Sequence, residues 1–340
     1  MNRPGKVTQR DIARIAGVSQ AAVSMVLNGG ESAANRIPAE TRERVFTAIR
    51  ETGYVADPIA RRMAAGRNQI LGVFTYEPAF PSAQADFFAP FLLGIEEAAQ
   101  ELGYDLLLMT GSSGGQKKIF GENVRLRLAD GCLVLGREFD RDELERLVAG
   151  DYPFVAIGRR EDAGGPVPYC GGDYVSATTA LVTRAIGMGH KKLAYIGPVA
   201  GAESSVDRWQ GFRATLGGGA EMVARLDAVL PTPDDMLEAI LGCGATLAVF
   251  TELSDAVKVR GLARARNFDV PRDFSIIVLG RHERAAETGT RFTTFRIPRE
   301  EMGREAARML VRRIEGDTAV EQVLLECERI EGETLAAVTG

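Results

Sequence analysis

Residues 8–29 read TQRDIARIAGVSQAAVSMVLNG and decide how this chain is organised. Thr8, followed three positions later by an aspartate, fits the [ST]-x-x-[DE] capping pattern, and apolar residues then recur at helical spacing. This predicts a first helix that ends at Gly17, a residue tolerant of positive φ. Ser19 supplies a hydroxyl N-cap for a second helix over 20–27. Two helices joined by so tight a turn are typical of a helix-turn-helix.

The second predicted helix leaves one face uncovered near its N-terminal end, while valines and a leucine form its inner face. The outward positions are Gln20, Ala21, Ser24 and Met25. A third amphipathic helix is predicted over 39–52, with arginines on its outer side. Three short helices therefore predict a small all-α head domain over residues 1–56.

Charge is divided unevenly along the 340 residues, whose total net charge is −5. Residues 1–68 hold 11 Lys/Arg against 6 Asp/Glu, whereas the remainder holds 30 against 40, giving net charges of +5 and −10. Because phosphate affinity depends on local clusters of Lys and Arg, this asymmetry indicates a nucleic-acid-binding head. Charge alone leaves open a merely solvated charged surface.

From residue 69 onward, apolar strands alternate with amphipathic helices. The predicted strands are 70–75, 104–109, 132–135, 154–157, 193–196, 247–250 and 275–279. The predicted helices are 90–102, 175–187, 205–216, 233–241, 255–266 and 298–315. This alternation predicts an α/β body of doubly wound parallel sheets with helices on both faces.

Enzymatic chemistry and metal binding find little support in the residues. The four cysteines show no C-x-x-C spacing and there are two histidines, so neither a clustered zinc site nor a cofactor is expected. Residues 111–118, GSSGGQKK, resemble a phosphate loop, but Gln116 replaces a required glycine and Lys118 the Mg²⁺-binding Ser/Thr. A flexible surface loop is the better interpretation, and the chain is expected not to be an enzyme.

The expected cellular location follows from two kinds of segment that are not found in the sequence. The N-terminal residues have several arginines and no apolar core, unlike a secretory signal, and no stretch reaches about 18 uncharged apolar residues. A cytoplasmic protein without a membrane partner is therefore expected, with reduced and mostly buried thiols.

The head resembles the lactose-repressor (LacI/GalR) family of transcription factors. The resemblance lies in residues 7–19, 23–29, 40–45 and the pair Gly53-Tyr54. It implies that the base-reading residues are Gln20, Ala21 and Met25. It also implies DNA-backbone contacts by Thr8, Ser19, Ser24 and Asn28. The Ala22 side chain, at another phosphate-facing position, cannot hydrogen-bond a phosphate, and Pro38 departs from the usual Ser/Thr cap.

A linker over 57–68 contains a predicted short helix. Asp57 and Pro58 suit an N-cap and first helical residue, and Gly66 ends the segment. It resembles the family's hinge helix, which implies minor-groove contacts by Ala60, Arg61 and Met63. A helix this short should order only when two copies pack on DNA. The residues themselves leave open a plain polar linker.

The body resembles the family's regulatory domain, whose shape is that of a two-lobed periplasmic sugar-binding protein. The matching landmarks include residues 94–96, 189–193, 208–212, 270–275 and 292–295. The resemblance implies an effector-binding and dimerisation domain over 69–340. Its N-lobe is expected over 69–188 and 296–326, and its C-lobe over 189–295 and 327–340.

Within this body, Arg208 matches the family's ligand-binding arginine, whose fork can hold paired hydroxyls or a carboxylate. A structural ion pair is the alternative. Elsewhere the pattern changes, since Glu252 replaces an asparagine and His282 lies where two aspartates usually follow an aromatic residue. These changes suggest an acidic or atypical ligand, or else a weakly responsive site, and His282 could equally be a surface histidine.

Aromatic side chains are the remaining candidates for effector contacts. Phe88 in the first lobe, with its neighbours Phe80 and Phe87, and Trp209 beside Arg208 could stack on a sugar face. Core packing is the competing interpretation for all of them.

Together these features predict a homodimeric, sequence-specific DNA-binding transcriptional regulator, a repressor that binds a pseudo-palindromic operator. Its effector is expected to be a small carbohydrate or sugar acid. The alternative is a sugar-binding module or sugar-processing enzyme with an incidental helical head.

Overall fold

The computed structural model describes residues 7–28, 37–54, 68–77, 85–110, 118–120, 126–227, 232–280 and 289–338. The chain divides into two compact units, Met1–Gln69 and Ile70–Gly340, here called the head and the body. The predicted hinge helix with Ala60, Arg61 and Met63 lies outside the described residues. So do His282, Phe80 and residues 111–117 of the phosphate-loop-like stretch.

Three helices form the described part of the head, at the positions that the sequence predicts. They are α1 (Gln9–Ala16), α2 (Gln20–Asn28) and α3 (Ala39–Thr52). Thr8 and Asp11 form the predicted capping box, and Gly17 ends α1 with φ 63°. The Ser19 hydroxyl accepts a hydrogen bond from the Ala22 N–H at 3.1 Å, which caps α2. Local capping chemistry thus sets the boundaries of both helices.

A small apolar core holds these three helices together. Ile12, Val23 and Val45, one from each helix, are fully buried and pack with three alanines. Pro38 precedes α3 without any side-chain cap, as its lack of a hydroxyl requires. Because the inner face of α2 is committed to this core, its opposite face is left outside.

The described part of the body contains twelve strands. In chain order they are β1 (Ile70–Thr75), β2 (Asp105–Met109), β3 (Gly131–Leu135), β4 (Phe154–Ile157), β5 (Tyr169–Gly172), β6 (Lys192–Ile196), β7 (Glu221–Leu226), β8 (Leu247–Phe250), β9 (Ser275–Val278), β10 (Thr294–Phe295), β11 (Gln322–Leu325) and β12 (Arg329–Ile330). Two parallel sheets result, ordered β11-β5-β4-β3-β1-β2 and β7-β6-β8-β9.

Helices cover both faces of each sheet. They are α4 (Ala85–Leu102), α5 (Arg141–Ala149), α6 (Tyr174–Gly187), α7 (Glu203–Arg213), α8 (Pro233–Gly242), α9 (Leu253–Ala265) and α10 (Arg299–Ile314). On the six-stranded sheet, α4 and α10 pack on one face and α5 on the other. On the four-stranded sheet, α6 and α7 oppose α8 and α9. Burial on both faces explains the nearly unbroken apolar runs of the central strands.

Some elements were not predicted from the sequence. Helix α5 and strands β5, β7, β10, β11 and β12 are additions, and α4 begins at Ala85 rather than at Pro90. Strand β5 reads YCGG, and its two glycines have low β-propensity. Strands β7 and β11 are sheet edges with partly exposed, polar positions. Pro90 lies inside α4 although proline favours the first helical position, which shifted the predicted start.

The two sheets define two lobes, and the chain passes between them three times. The crossings lie after β5, near β10 and after β11, where β10 pairs antiparallel with β12. The C-terminal tail then packs on the second lobe, since Ile276 N–H donates to the Thr334 carbonyl at 2.7 Å. Helix α6, expected in the first lobe up to residue 188, instead packs on α7. The buried apolar face of α6 packs with Phe212 of α7. The boundary between the two lobes therefore lies before α6.

Two glycines let helices α4 and α10 cross in direct backbone contact. A Cβ at Gly94 would lie 1.9 Å from the Glu300 carbonyl oxygen, and one at Gly303 would lie 2.2 Å from the Phe91 carbonyl oxygen. No side-chain rearrangement could relieve either clash, because the opposing atoms are backbone. This crossing holds the helical layer under the six-stranded sheet.

We expect Gly303→Ala to lower the free energy of unfolding of the body by about 3 kcal/mol, because the helices must separate. Gly261→Ala is the matched control, since Gly261 is an exposed position of α9 with no atom near its Cβ position. That control should stabilise the body by about 0.5–1 kcal/mol. Urea unfolding of both variants measures these changes in stability. If Gly303→Ala lowers stability by no more than about 0.5–1 kcal/mol, the size of the change expected for the control, the packing argument is wrong.

Candidate functional site

The outer face of α2 carries the predicted base-reading residues. Gln20 and Ala21 are exposed and Met25 is 37% exposed, whereas Ser24 is half-buried. Asn28 is the last residue of the helix. Thr8 and Ser19 are exposed, but their hydroxyls already cap α1 and α2. The structure therefore presents Gln20, Ala21 and Met25 on the solvent-facing side of α2.

Arg10 of α1 lies beside this face of α2, a contact that was not predicted from the sequence. Its Nε donates to the Gln20 side-chain oxygen at 3.4 Å. The long distance and the exposure of both residues make this a weak hydrogen bond that a base edge could replace. The arginine places a positive charge beside the reading amide, where phosphates would approach.

In the body, a cleft lies between the carboxyl ends of the two parallel sheets, where ligands of α/β proteins bind. Its volume is about 120 Å³. Segments following β3, β4, β8 and β9 contribute to its walls, together with the first turns of α7 and α10. Its polar lining includes Arg137, Arg159, Arg160, Asp207, Arg208, Glu252 and Arg299, and its apolar lining includes Phe87, Phe91, Tyr174 and Ile297.

Two ion pairs cross this cleft. Arg159 Nη2 lies 2.7 Å from Asp207 Oδ1, and Arg159 Nε also donates to that carboxylate. Arg160 Nη1 lies 2.9 Å from Glu203 Oε2. Both arginines follow β4 and both carboxylates belong to α7, so each pair joins one lobe to the other.

Burial makes these pairs electrostatically strong. The Asp207 side chain is 5% exposed and that of Arg160 is 4% exposed. The hydrogen bond to Asp207 raises the pKa of Arg159. Burial lowers the pKa of Arg160, and the Glu203 carboxylate opposes that shift. Arg160 also donates to the Gly136 carbonyl at 2.8 Å, which supplies part of its lost hydration.

Arg208 lies in the cleft, as its sequence position implied. Its Nε donates to the Leu279 carbonyl at 2.6 Å and its Nη1 to the Ser204 carbonyl at 2.9 Å. Its guanidinium lies 4.2 Å from the ring centroid of Tyr174, whose pKa is raised by burial. Within the described residues Arg208 forms no ion pair, so the alternative of a structural ion pair is not what the structure shows. Uncharged groups therefore hold the Arg208 guanidinium in place.

Phe88 and Trp209 do not line the cleft, which corrects their assignment to the effector site. Phe88 is 1% exposed in the core under α4, whereas Phe87 and Phe91, four positions apart on one helix face, reach the cleft. Trp209 packs against Tyr195, with ring centroids 5.0 Å apart. In the structure Phe88 therefore lies in the core, and the partly buried Trp209 packs against it.

Among the predicted effector residues that the structure describes, Glu252 also reaches the cleft. Arg159, Arg160 and Asp207 line it too, and they were not predicted from the sequence. A pair of arginines directly after the apolar strand β4 was an available signal, because charges at the carboxyl end of a parallel strand commonly belong to a site.

Other kinds of site are not found in the described part of the chain. It contains no group of three or more His, Cys, Asp or Glu side chains that could hold a metal ion. Among its helices, none combines the length and the apolar character needed to cross a membrane. All four cysteines are free thiols, and burial raises the pKa of Cys170 and Cys327 to about 12.

Comparison with known sequences identifies both parts of the chain. Residues 8–57 match "Bacterial regulatory proteins, lacI family", and residues 79–241 match "Periplasmic binding proteins and sugar binding domain of LacI family". The transcriptional regulator CelR of Thermobifida fusca is 30% identical over 94% of this chain and 95% of its own length. The chain belongs to the LacI family. It is a helix-turn-helix transcriptional regulator with a periplasmic-binding-protein-like body.

Further relatives and structures agree with this LacI-family assignment. The repressor MelR of Bacillus subtilis is 28% identical over 93% of this chain and 94% of its own. A solved complex of CelR with cellobiose matches with a TM-score of 0.64 and 27% identity, over 98% and 100% of the two chains. The Lac repressor dimer bound to operator matches in fold, with a TM-score of 0.73 at 18% identity over 97% and 99%. These relatives are regulators rather than enzymes.

Asp207→Ala should lower the free energy of unfolding by about 1–3 kcal/mol, because it leaves the half-buried Arg159 guanidinium without its hydrogen-bonded carboxylate. The control is Glu145→Ala, which removes the exposed pair with Arg141 on α5 and should change stability by at most about 0.5 kcal/mol. Chemical denaturation of both variants is the measurement. Equal losses would show that the pair across the cleft has no special weight.

Proposed function

We propose that this LacI-family chain is a homodimeric, sequence-specific DNA-binding repressor of the cytoplasm, without catalytic activity. Its operator affinity changes when a small carbohydrate-like effector occupies the cleft. One observation carries the proposal: the chain joins an exposed recognition helix to a polar cleft whose two lobes are linked by ion pairs. The CelR–cellobiose and Lac repressor–operator structures support it by likeness.

The DNA half of the proposal rests on the chemistry of α2. The Gln20 amide can pair with adenine N6 and N7 in the major groove, while Ala21 and Met25 can contact a thymine methyl. Two heads related by a two-fold axis must read inverted half-sites, so the operator is pseudo-palindromic. Thr8, Ser19, Ser24 and Asn28 at the DNA backbone stay a prediction. The contacts of Ala60, Arg61 and Met63 with the minor groove also stay predictions.

The effector half rests on the two-lobed cleft. A ligand can shift the balance between two arrangements of the lobes only if it binds them with different affinity. A molecule held by Arg208 on the second lobe and by residues of the first lobe meets this condition. The effector contacts of Arg208 and Glu252 belong to this proposal, and the role predicted for His282 stays a prediction.

Gln20→Ala should remove discrimination at one base pair in each half-site and cost about 1–3 kcal/mol there, because it deletes a bidentate base contact. Selection from a random DNA library by wild type and variant, followed by anisotropy titrations, measures the change. Gln210→Ala, at an exposed position of α7, is the matched control and should select the wild-type site. Unchanged discrimination in the Gln20 variant, or selection of a single unrepeated half-site, would contradict the assignment.

Arg208→Ala should abolish the effect of effector on operator binding, because it removes the proposed effector contact. Operator affinity without effector should stay within about twofold of wild type, since coupling between two sites can be lost while one of them still binds. Arg213→Ala removes an exposed arginine from the same helix and should respond normally. Operator titrations with and without effector provide the measurement. A normal response in the Arg208 variant would place the effector elsewhere.

A further inference from the structure

The cleft carries more positive than negative side chains. Among the described residues, its lining contains five arginines and two carboxylates, a formal charge of +3. Two more carboxylates lie just outside the lining, Glu203 paired with Arg160 and Glu77 close to Arg160 and Gly136, and they lower the charge of the site to +1. Since residues after 68 carry a net charge of −10, this local excess is opposite in sign to the surrounding body. A confined positive site of this kind attracts anions.

Part of this charge is held in place without being neutralised. Arg208 is fixed by two backbone carbonyls and the Tyr174 ring. Arg137, an exposed residue after β3, has its guanidinium 4.7 Å from the ring centroid of Phe87. Aromatic rings and carbonyls orient a guanidinium but leave it cationic. Both forks are therefore oriented for a further, charged acceptor.

Helix termini add to the same potential. Helices α7, α9 and α10 begin at the cleft, where Ala202, Glu252 and Arg299 belong to the lining. In each of the three, the N-cap residue makes no side-chain cap hydrogen bond. The N-terminal ends of helices carry partial positive charge and favour anions. The N-terminal ends of these three helices and the arginines therefore all make the electrostatic potential in the cleft more positive.

The cleft also offers a group that suits hydroxyls. Glu252 lines the cleft and forms no ion pair within the described part of the chain. Its carboxylate can accept hydrogen bonds, so it suits a ligand that carries hydroxyl donors.

We propose that the effector is an anionic carbohydrate, a polyhydroxy compound that carries a carboxylate or phosphate group. Arg208 and Arg137 contact the anionic group, and Glu252 accepts hydrogen bonds from the hydroxyls of the carbohydrate. The inference rests on the proposed function only in calling this ligand the effector.

The test compares ligands that share a sugar ring and differ in charge. Glucose, glucuronate and glucose 6-phosphate, together with the three galactose counterparts, are titrated into the full chain at constant pH and ionic strength, with thermal stability as the readout. At least one anion should bind at least about tenfold more tightly than its neutral counterpart, since ligand affinity for the native state sets the stabilisation. The carboxylate and phosphate arms identify which anionic group the cleft prefers.

Arg137→Gln is the informative variant, because its exposed side chain can be changed without disturbing the core. It should weaken anion binding at least about tenfold by removing a charge-assisted contact. Arg213→Gln, an equal loss of charge on the outside of α7, should bind as wild type does. Neutral sugars binding as tightly as the anions, stabilisation by none of the anions, or full anion binding by the Arg137 variant would overturn the inference.

The anion site and the proposed regulation can be tested separately. If an anion binds as described but leaves operator affinity unchanged, the anion site stands and the proposed regulation fails. If operator affinity responds to a neutral sugar alone, the regulation stands and the anion site is wrong.

Discussion

The buried ion pairs across the cleft are the interaction on which the arrangement of the body depends. Arg159 and Arg160 follow β4 in one lobe, and Asp207 and Glu203 extend from α7 in the other. An unpaired charge at either buried position would cost several kcal/mol, so the loop and the helix are held together. Arg208 follows Asp207 directly on α7. The contact between the lobes therefore also places the residue best suited to hold a ligand.

The head and the large elements of the body could be predicted from sequence because local rules specify them. The capping box at Thr8, the left-handed Gly17 and the hydroxyl cap of Ser19 each act within a few residues. Apolar runs likewise predicted the central strands. Edge strands such as β7, and the glycine-rich β5, lack that local signal, because their pairing depends on neighbours that are distant in sequence.

The candidate site was less predictable for the same reason. Arg208 could be placed by resemblance, but the partnership of Arg159 with Asp207 spans 48 positions and depends on how two lobes meet. Phe87 and Phe88 are adjacent in sequence, yet one lines the cleft and the other lies in the core. Composition cannot separate them, since the phase of helix α4 decides which side each one faces.

In the proposed regulation, occupancy of the cleft is coupled to affinity for operator DNA. Thermodynamic linkage makes a reciprocal measurement decisive: operator affinity at saturating effector, and effector affinity at saturating operator, on the same chain. If the two sites are coupled, both affinities change by the same factor, typically about 5–150-fold. An effector that binds the cleft while both affinities stay constant would contradict the coupling.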